Sequence, residues 1–153
     1  MLHTAVRTEK KIFVYGDYDV DGTTGTAILV SLLQSIGAKC EFYVPHRLEE
    51  GYGLNEAAIR QIASQGGQLI VTVDCGITSV NEALIAKELG IQLIITDHHE
   101  MKDTLPSADV LVHPRLPETD YPFGTISGAG VAFKLAWALA VRYCGTEKVT
   151  QHI

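Results

Sequence analysis

Four short, nearly unbroken apolar runs rich in β-branched residues, at 11–15, 40–44, 68–73 and 91–96, limit this chain more than any other feature. A run of that length without polar alternation suits a strand covered on both faces, since a strand with one wet face would alternate. Between the runs lie segments with helical spacing, at 24–36, 54–65 and 79–89. The first places Ile28, Leu32 and Ile36 on one stripe, and Gly37, Gly66 and Gly90 stand where the three helices would stop. Strand alternating with helix through short turns gives a parallel sheet with helices on both faces. A fifth strand at 109–113 and a long helix at about 130–143 complete the expected fold: α/β, a doubly wound, mainly parallel sheet of about five strands.

The 153 residues suffice for one buried core, with no repeat and no linker to divide it. Residues 1–11 are polar and mixed in charge, unlike a signal peptide, and no apolar run reaches the roughly 18–20 residues of a spanning helix. The expectation is a cytoplasmic protein without membrane contact. Cys40, Cys75 and Cys144 are odd in number and far apart, which fits reduced, mostly buried thiols. The net charge of −6 argues against a protein that holds nucleic acid by bulk basicity. A cluster of metal-binding carboxylates, however, makes a chain acidic while its working site is not, so a nucleic-acid substrate stays open.

In open parallel sheets, ligands bind beyond the carboxyl ends of the strands. The first run leads into Asp17, Asp19 and Asp21, the third into Asp74 and Cys75, and the fourth into Asp97, His98 and His99. All three clusters fall on one edge of the expected sheet. The spacing of two between Asp17, Asp19 and Asp21 would put their carboxylates on one side of an extended segment. Two like charges about 4 Å apart repel by roughly 4 kcal/mol at an effective dielectric of 20, and a cation removes that cost. Carboxylates mixed with imidazoles suit a divalent ion such as Mn2+; a cysteine-rich set would point to zinc instead. Each piece also has a plainer explanation. Asp21 ahead of Gly22 could be a helix cap, Asp-x-Asp occurs in turns, and Cys75 suits a small buried position better than a soft ligand.

Two further segments lie on the same edge. Ser127–Gly128–Ala129–Gly130 opens the last helix, and small residues at a helix N-terminus make a natural phosphate site, with close helix packing as the alternative. Arg47 follows the second run and is placed to meet a phosphate or, equally, solvent.

The tripeptide Asp97–His98–His99, the opening Tyr15-Gly-Asp-Tyr-Asp-Val-Asp-Gly-Thr-Thr, the Val-Asp74-Cys-Gly step, Glu50-Gly-Tyr-Gly-Leu-Asn55 and Ser127-Gly-Ala-Gly-Val-Ala-Phe-Lys134 together resemble the DHH phosphoesterases. The likeness runs from about Lys11 to Tyr143 and is to the branch of single-strand-specific DNA exonucleases of bacteria. It implies two Mn2+ or Mg2+ ions per complete site, with Asp19, Asp21, Asp74 and His98 as ligands and Asp17 in or just behind that shell. It implies catalytic roles for His99, facing the scissile phosphate, and for Asp97 beside it, with Arg47, Gly128 and Gly130 toward substrate phosphate. The implied reaction is 5′→3′ hydrolysis of single-stranded DNA to 5′-mononucleotides in repair and recombination, with helicase or single-strand-binding partners. The family has a fourth motif, a second domain and, in this branch, an oligonucleotide-binding domain. The expectation is a catalytic domain over 1–153 that ends before them and is weak or inactive alone. The rivals are a sibling hydrolase of oligoribonucleotides or cyclic dinucleotides and a non-catalytic scaffold. The Asp-Val-Asp-Gly-Thr opening and the filled ligand positions favour the exonuclease.

Overall fold

The computed structural model describes residues 1–117 and 119–145. The elements in chain order are α1 (Leu2–Arg7), β1 (Ile12–Gly16), α2 (Val20–Ser35), β2 (Cys40–Tyr43), α3 (Glu56–Ser64), β3 (Leu69–Val73), α4 (Val80–Glu88), β4 (Gln92–Thr96), β5 (Val110–Val112) and α5 (Gly128–Cys144). The five strands form one sheet in the order β2-β1-β3-β4-β5, and every pairing is parallel. The chain leaves β1 for one edge and returns to its other side, so the winding reverses between β1 and β3. That reversal opens a crevice at their carboxyl ends.

The sheet separates two cores. On one face α1, α2 and α5 cover Ile12 and Val14 of β1, Leu69, Val71 and Val73 of β3, and Ile94 of β4. On the other, α3 and α4 cover Phe13, Tyr15, Ile70, Leu93 and Ile95. Alternate residues of one strand therefore face different cores, which is why β1 and β3 read as continuous apolar runs and are buried throughout. The edge strands differ: β2 leaves Phe42 63% exposed and β5 is only partly buried, so cover on both faces holds for the three central strands.

Gly37, Gly66 and Gly90 have φ values of 77°, 80° and 71°, as expected of helix ends. Two starts move earlier because a side chain caps them. The Oδ1 of Asp19 accepts from Gly22 N at 2.8 Å and begins α2 at Val20; Ser127 Oγ accepts from Gly130 N at 3.2 Å and begins α5 at Gly128. Helix α2 is apolar on more than the expected stripe. Leu29 and Leu33 are fully buried, because α2 packs against both the sheet and its neighbour α5 on the same face. A Cβ on Gly25 would come within 2.7 Å of Val73 and 3.2 Å of Ala129, so glycine allows this close layering. Residues 2–7, where no element is expected from sequence, form α1 because Leu2, Ala5 and Val6 find the same core. No described helix is long and apolar enough to cross a membrane.

Candidate metal centre

The register of the sheet builds the site. Gly16 pairs with Val73, so the chains leave β1 and β3 at the same height. Asp17, Asp74 and Asp97 each take the first position past their strand. Each continues the ladder by one bond, with Asp17 N donating to Val73 O (3.2 Å), Asp74 N to Thr96 O (3.0 Å) and Asp97 N to Val112 O (3.1 Å). Three carboxylates thus stand in a row across the crevice, 0%, 1% and 1% exposed.

Asp17, Asp19 and Asp21 do not share one extended segment, as their spacing suggests. The Asp19 cap starts the helix between them, so Asp17 stays at the end of β1, one residue past the strand, and Asp21 sits in the first turn of α2. Asp17 and Asp19 remain with Asp74, their carboxylate oxygens within 4.8 Å of one another. Asp21 turns toward α5, its Oδ2 accepting from Gly128 N (2.7 Å) and its Oδ1 from Ala129 N (2.9 Å), while Oδ2 lies 3.8 Å from His98 Nε2. Burial alone would raise the Asp21 carboxyl. The two amides, Ser127 and His98 outweigh it and leave a net lowering.

At Gly128 and Gly130, the residues expected toward substrate phosphate, the amides have partners inside the protein. The Gly128 amide is given to Asp21 and the Gly130 amide to Ser127, so the anion on the α5 N-terminus is a carboxylate of the protein. Gly128 has a different constraint: a Cβ there would lie 2.0 Å from Asp74 Oδ1. That contact is the close packing the sequence offered as the alternative.

Asp74 is the centre of the arrangement. Its backbone is left-handed at φ 65°, and among the described residues neither carboxylate oxygen has a hydrogen-bond donor. His98 Nε2 is 3.1 Å from its Oδ1 but is not aligned to donate, so the proximity does not satisfy the carboxylate. Burial, then the charges of Asp21 and Asp19, push Asp74 up to about 7. Asp17 is in the same condition, fully buried with both oxygens unpartnered, and burial raises it as well. Uncompensated buried carboxylates are costly, and a cation is the group that removes the cost. Asp74 belongs to two sets whose ligand atoms lie within 4.8 Å: Asp17, Asp19 and Asp74, and Asp74, His98 and His99. Two trios sharing one carboxylate have the form of a two-ion site. Carboxylates with imidazole fit divalent Mn2+ or Mg2+, and Cys75 takes no part; it packs in the α3–α4 core, where burial raises its thiol.

Asp97 spends its oxygens inside the protein. Oδ2 accepts from Ile77 N (2.9 Å), and Oδ1 from His98 N (2.7 Å), His99 N (3.1 Å) and His99 Nδ1 (2.7 Å). It is therefore a positioning residue for His99, placing the proton on Nδ1 and leaving Nε2 outward, 3.0 Å from the Tyr52 hydroxyl. Burial opposes charge on His99, but the bond to Asp97 and the charges of Asp97, Asp74 and Asp17 prevail and raise it. Arg47 lies over the Tyr18 ring at 5.4 Å, and Tyr18 meets Tyr52 edge-on at 6.2 Å. This aromatic chain brings Arg47 to the rim of the site.

Sequence reasoning gave no role to Tyr52, His113 or Arg115. Tyr52 lies between Gly51 and Gly53, at φ 78° and 83°, in a loop anchored by Tyr15 OH bonding to Gly53 O (2.9 Å) and by Tyr43 bonding to Glu50. The flanking glycines and its place in the Glu50-Gly-Tyr-Gly-Leu-Asn55 stretch are the local signals that could have singled it out. His113 and Arg115 carry none, because their partners lie 14 and 17 residues away.

The family model "DHH family, N-terminal domain" matches residues 11–153. The chain is 52% identical over 135 residues to the single-stranded-DNA-specific exonuclease RecJ of Bacillus subtilis, covering 88% of this chain and 17% of that protein. To the RecJ of Escherichia coli it is 44% identical over 140 residues, 91% of this chain and 24% of the relative. Among solved structures, an exonuclease RecJ bound to manganese superposes with a TM-score of 0.83 at 45% identity, covering 95% of this chain and 36% of that one. The chain thus spans about a quarter or less of the length of these curated relatives.

Proposed function

The chain belongs to the DHH family, and from that premise we propose that its strand-edge cluster serves the hydrolysis of single-stranded DNA from the 5′ end to 5′-mononucleotides. One observation carries the reading: buried Asp74, without a donor at either oxygen, is the shared corner of two three-ligand groups in the switch-point crevice. The residues present fit a pair of Mn2+ or Mg2+ ions, with Asp17, Asp19 and Asp74 in one group and Asp74 with His98 in the other; Asp21 lies 3.8 Å from His98, and His99 of the second group is held by Asp97 instead. Asp21 keeps a lone pair on each oxygen beyond the bonds to α5. When bound, such ions supply a more acidic water and neutralise charge on the phosphoryl oxygens.

The side chains do the rest. Asp97 fixes the His99 ring through Nδ1 and leaves Nε2 facing outward, where in its protonated form it can donate to charge developing on a phosphoryl oxygen. The Tyr52 hydroxyl, a neutral phenol 3.0 Å from His99 Nε2, can hold the His99 ring until substrate takes its place. Arg47, poised over Tyr18, offers a guanidinium to the strand's phosphates. The single-strand specificity named for the relatives supports the substrate class. Such a substrate suits work in DNA repair and recombination in the cytoplasm, alongside a helicase or single-strand-binding protein.

The test is a 5′-labelled single strand incubated with Mn2+ and a full-length protein that carries this domain, since the domain alone is expected to be weak or inactive. Labelled mononucleotide should be the first product, should be absent with the matching duplex, and should stop forming when a chelator is added. Cleavage confined to dinucleotides, or a first cut inside the strand, would overturn the reading.

A further inference from the structure

Asp97 grips the Asp97–His98–His99 turn by its amides, and the carbonyls of the same turn are held from elsewhere. The Nη2 of Arg115 donates to His98 O at 2.7 Å, and the Nε2 of His113 donates to His99 O at 2.8 Å. The two holders are coupled, since Arg115 N donates to His113 Nδ1 at 3.0 Å. That bond makes Nδ1 the acceptor and places the His113 proton on Nε2, the tautomer the His99 carbonyl needs. Both residues sit just after β5, which pairs with β4 directly below the turn. The stem of Arg115 is seated as well, because a Cβ on Gly124 would lie 3.1 Å from its Cγ.

We infer that His113 and Arg115 form a positioning brace which sets the angle of the His98 and His99 rings, and through them the strength of cation binding. This rests on the reading of His98 as a ligand. Without the brace, the His98–His99 peptide would be held from its His99 amide alone and the His99–Glu100 peptide would be free to rotate, loosening both imidazoles. The ion pair of Arg115 Nη1 with Glu100 (2.7 Å) is not the source of the effect, because Glu100 is 88% exposed and such pairs contribute little. Groups that orient metal ligands typically change affinity by about 10–100-fold when removed.

The experiment compares the wild-type chain with Arg115→Ala, Arg115→Lys, His113→Gln and His113→Leu. Mn2+ affinity is measured by titration calorimetry, folding by thermal melting, and the metal-free His99 imidazole by 15N-resolved NMR. Arg115→Ala and His113→Leu should weaken Mn2+ by about tenfold or more. His113→Gln, which keeps a donor toward the His99 carbonyl, should recover most of the affinity. Arg115→Lys should not, because a single ammonium cannot reproduce the fork. In the metal-free wild type His99 should give one signal set protonated at Nδ1, and in Arg115→Ala that set should broaden or split. Lower melting temperatures with unchanged Mn2+ affinity and unchanged His99 signals would reduce the brace to a structural contact and overturn the inference. The NMR comparison uses no metal, so it decides the brace even if the wild type fails to bind Mn2+, which would sink the ligand reading by itself.

Discussion

Three unfavourable features meet at Asp74: a left-handed backbone, near-complete burial, and a carboxylate without donors. A fold keeps such a residue only where something else depends on it. Asp74→Asn isolates the charge, since asparagine tolerates left-handed φ better than most residues. At pH 8, where Asp74 is ionised, this substitution should raise the melting temperature of the metal-free chain by about 2–4 °C for each kcal/mol of relieved repulsion. It should also abolish Mn2+ binding. Calorimetry with and without Mn2+ checks both, and a variant that melts lower yet still binds the ion counts against the assignment. From sequence, Asp74 was one of several strand-end acids; its strain and its orphaned oxygens depend on neighbours from α2, α5 and β4.

At the scale of the element, α5 is both a packing helix and a wall of the site. Its N-terminal amides hold Asp21, and Gly128 lets the helix rest against Asp74. The glycine-rich start was legible, but whether it faced a phosphate or a neighbouring side chain was not, because both demand small residues. Gly128→Ala decides between them. A methyl aimed at Asp74 Oδ1 should cost about 1–3 kcal/mol through overpacking and weaken Mn2+ as well. Had the position served substrate phosphate alone, melting and Mn2+ affinity would both stay at wild-type values.

For the whole molecule, pH and metal are linked. Asp74 and Asp17 are raised above the unfolded carboxylate value of about 3.9, so the folded chain holds protons the unfolded chain has shed. Metal-free stability should therefore fall as pH rises from about 4 and be at its lowest above about 7, where Asp74 has ionised. Cations need those carboxylates bare, so Mn2+ affinity should climb across the same window. At a hundredfold excess over Kd, Mn2+ adds about 2.7 kcal/mol. At pH 8 that corresponds to about 5–10 °C in melting temperature. The shift should shrink at pH 5.5 and vanish with a chelator. Equal shifts at both pH values would disprove the linkage.

Local pattern alone determined the alternation of strand and helix, the edge on which the acids and histidines gather, and the suitability of that set for a divalent ion. Strand period, glycine stops and residue chemistry are properties of short stretches, and short stretches carried them. Only the tertiary structure decided the order β2-β1-β3-β4-β5, which sets Asp17 beside Asp74. It also decided that Asp21 occupies the α5 N-terminus, that Asp97 serves His99, and that His113 and Arg115 hold the turn from behind. Those outcomes depend on which distant surfaces pack together, and a hydrogen bond across a hundred residues leaves no period in the chain that makes it.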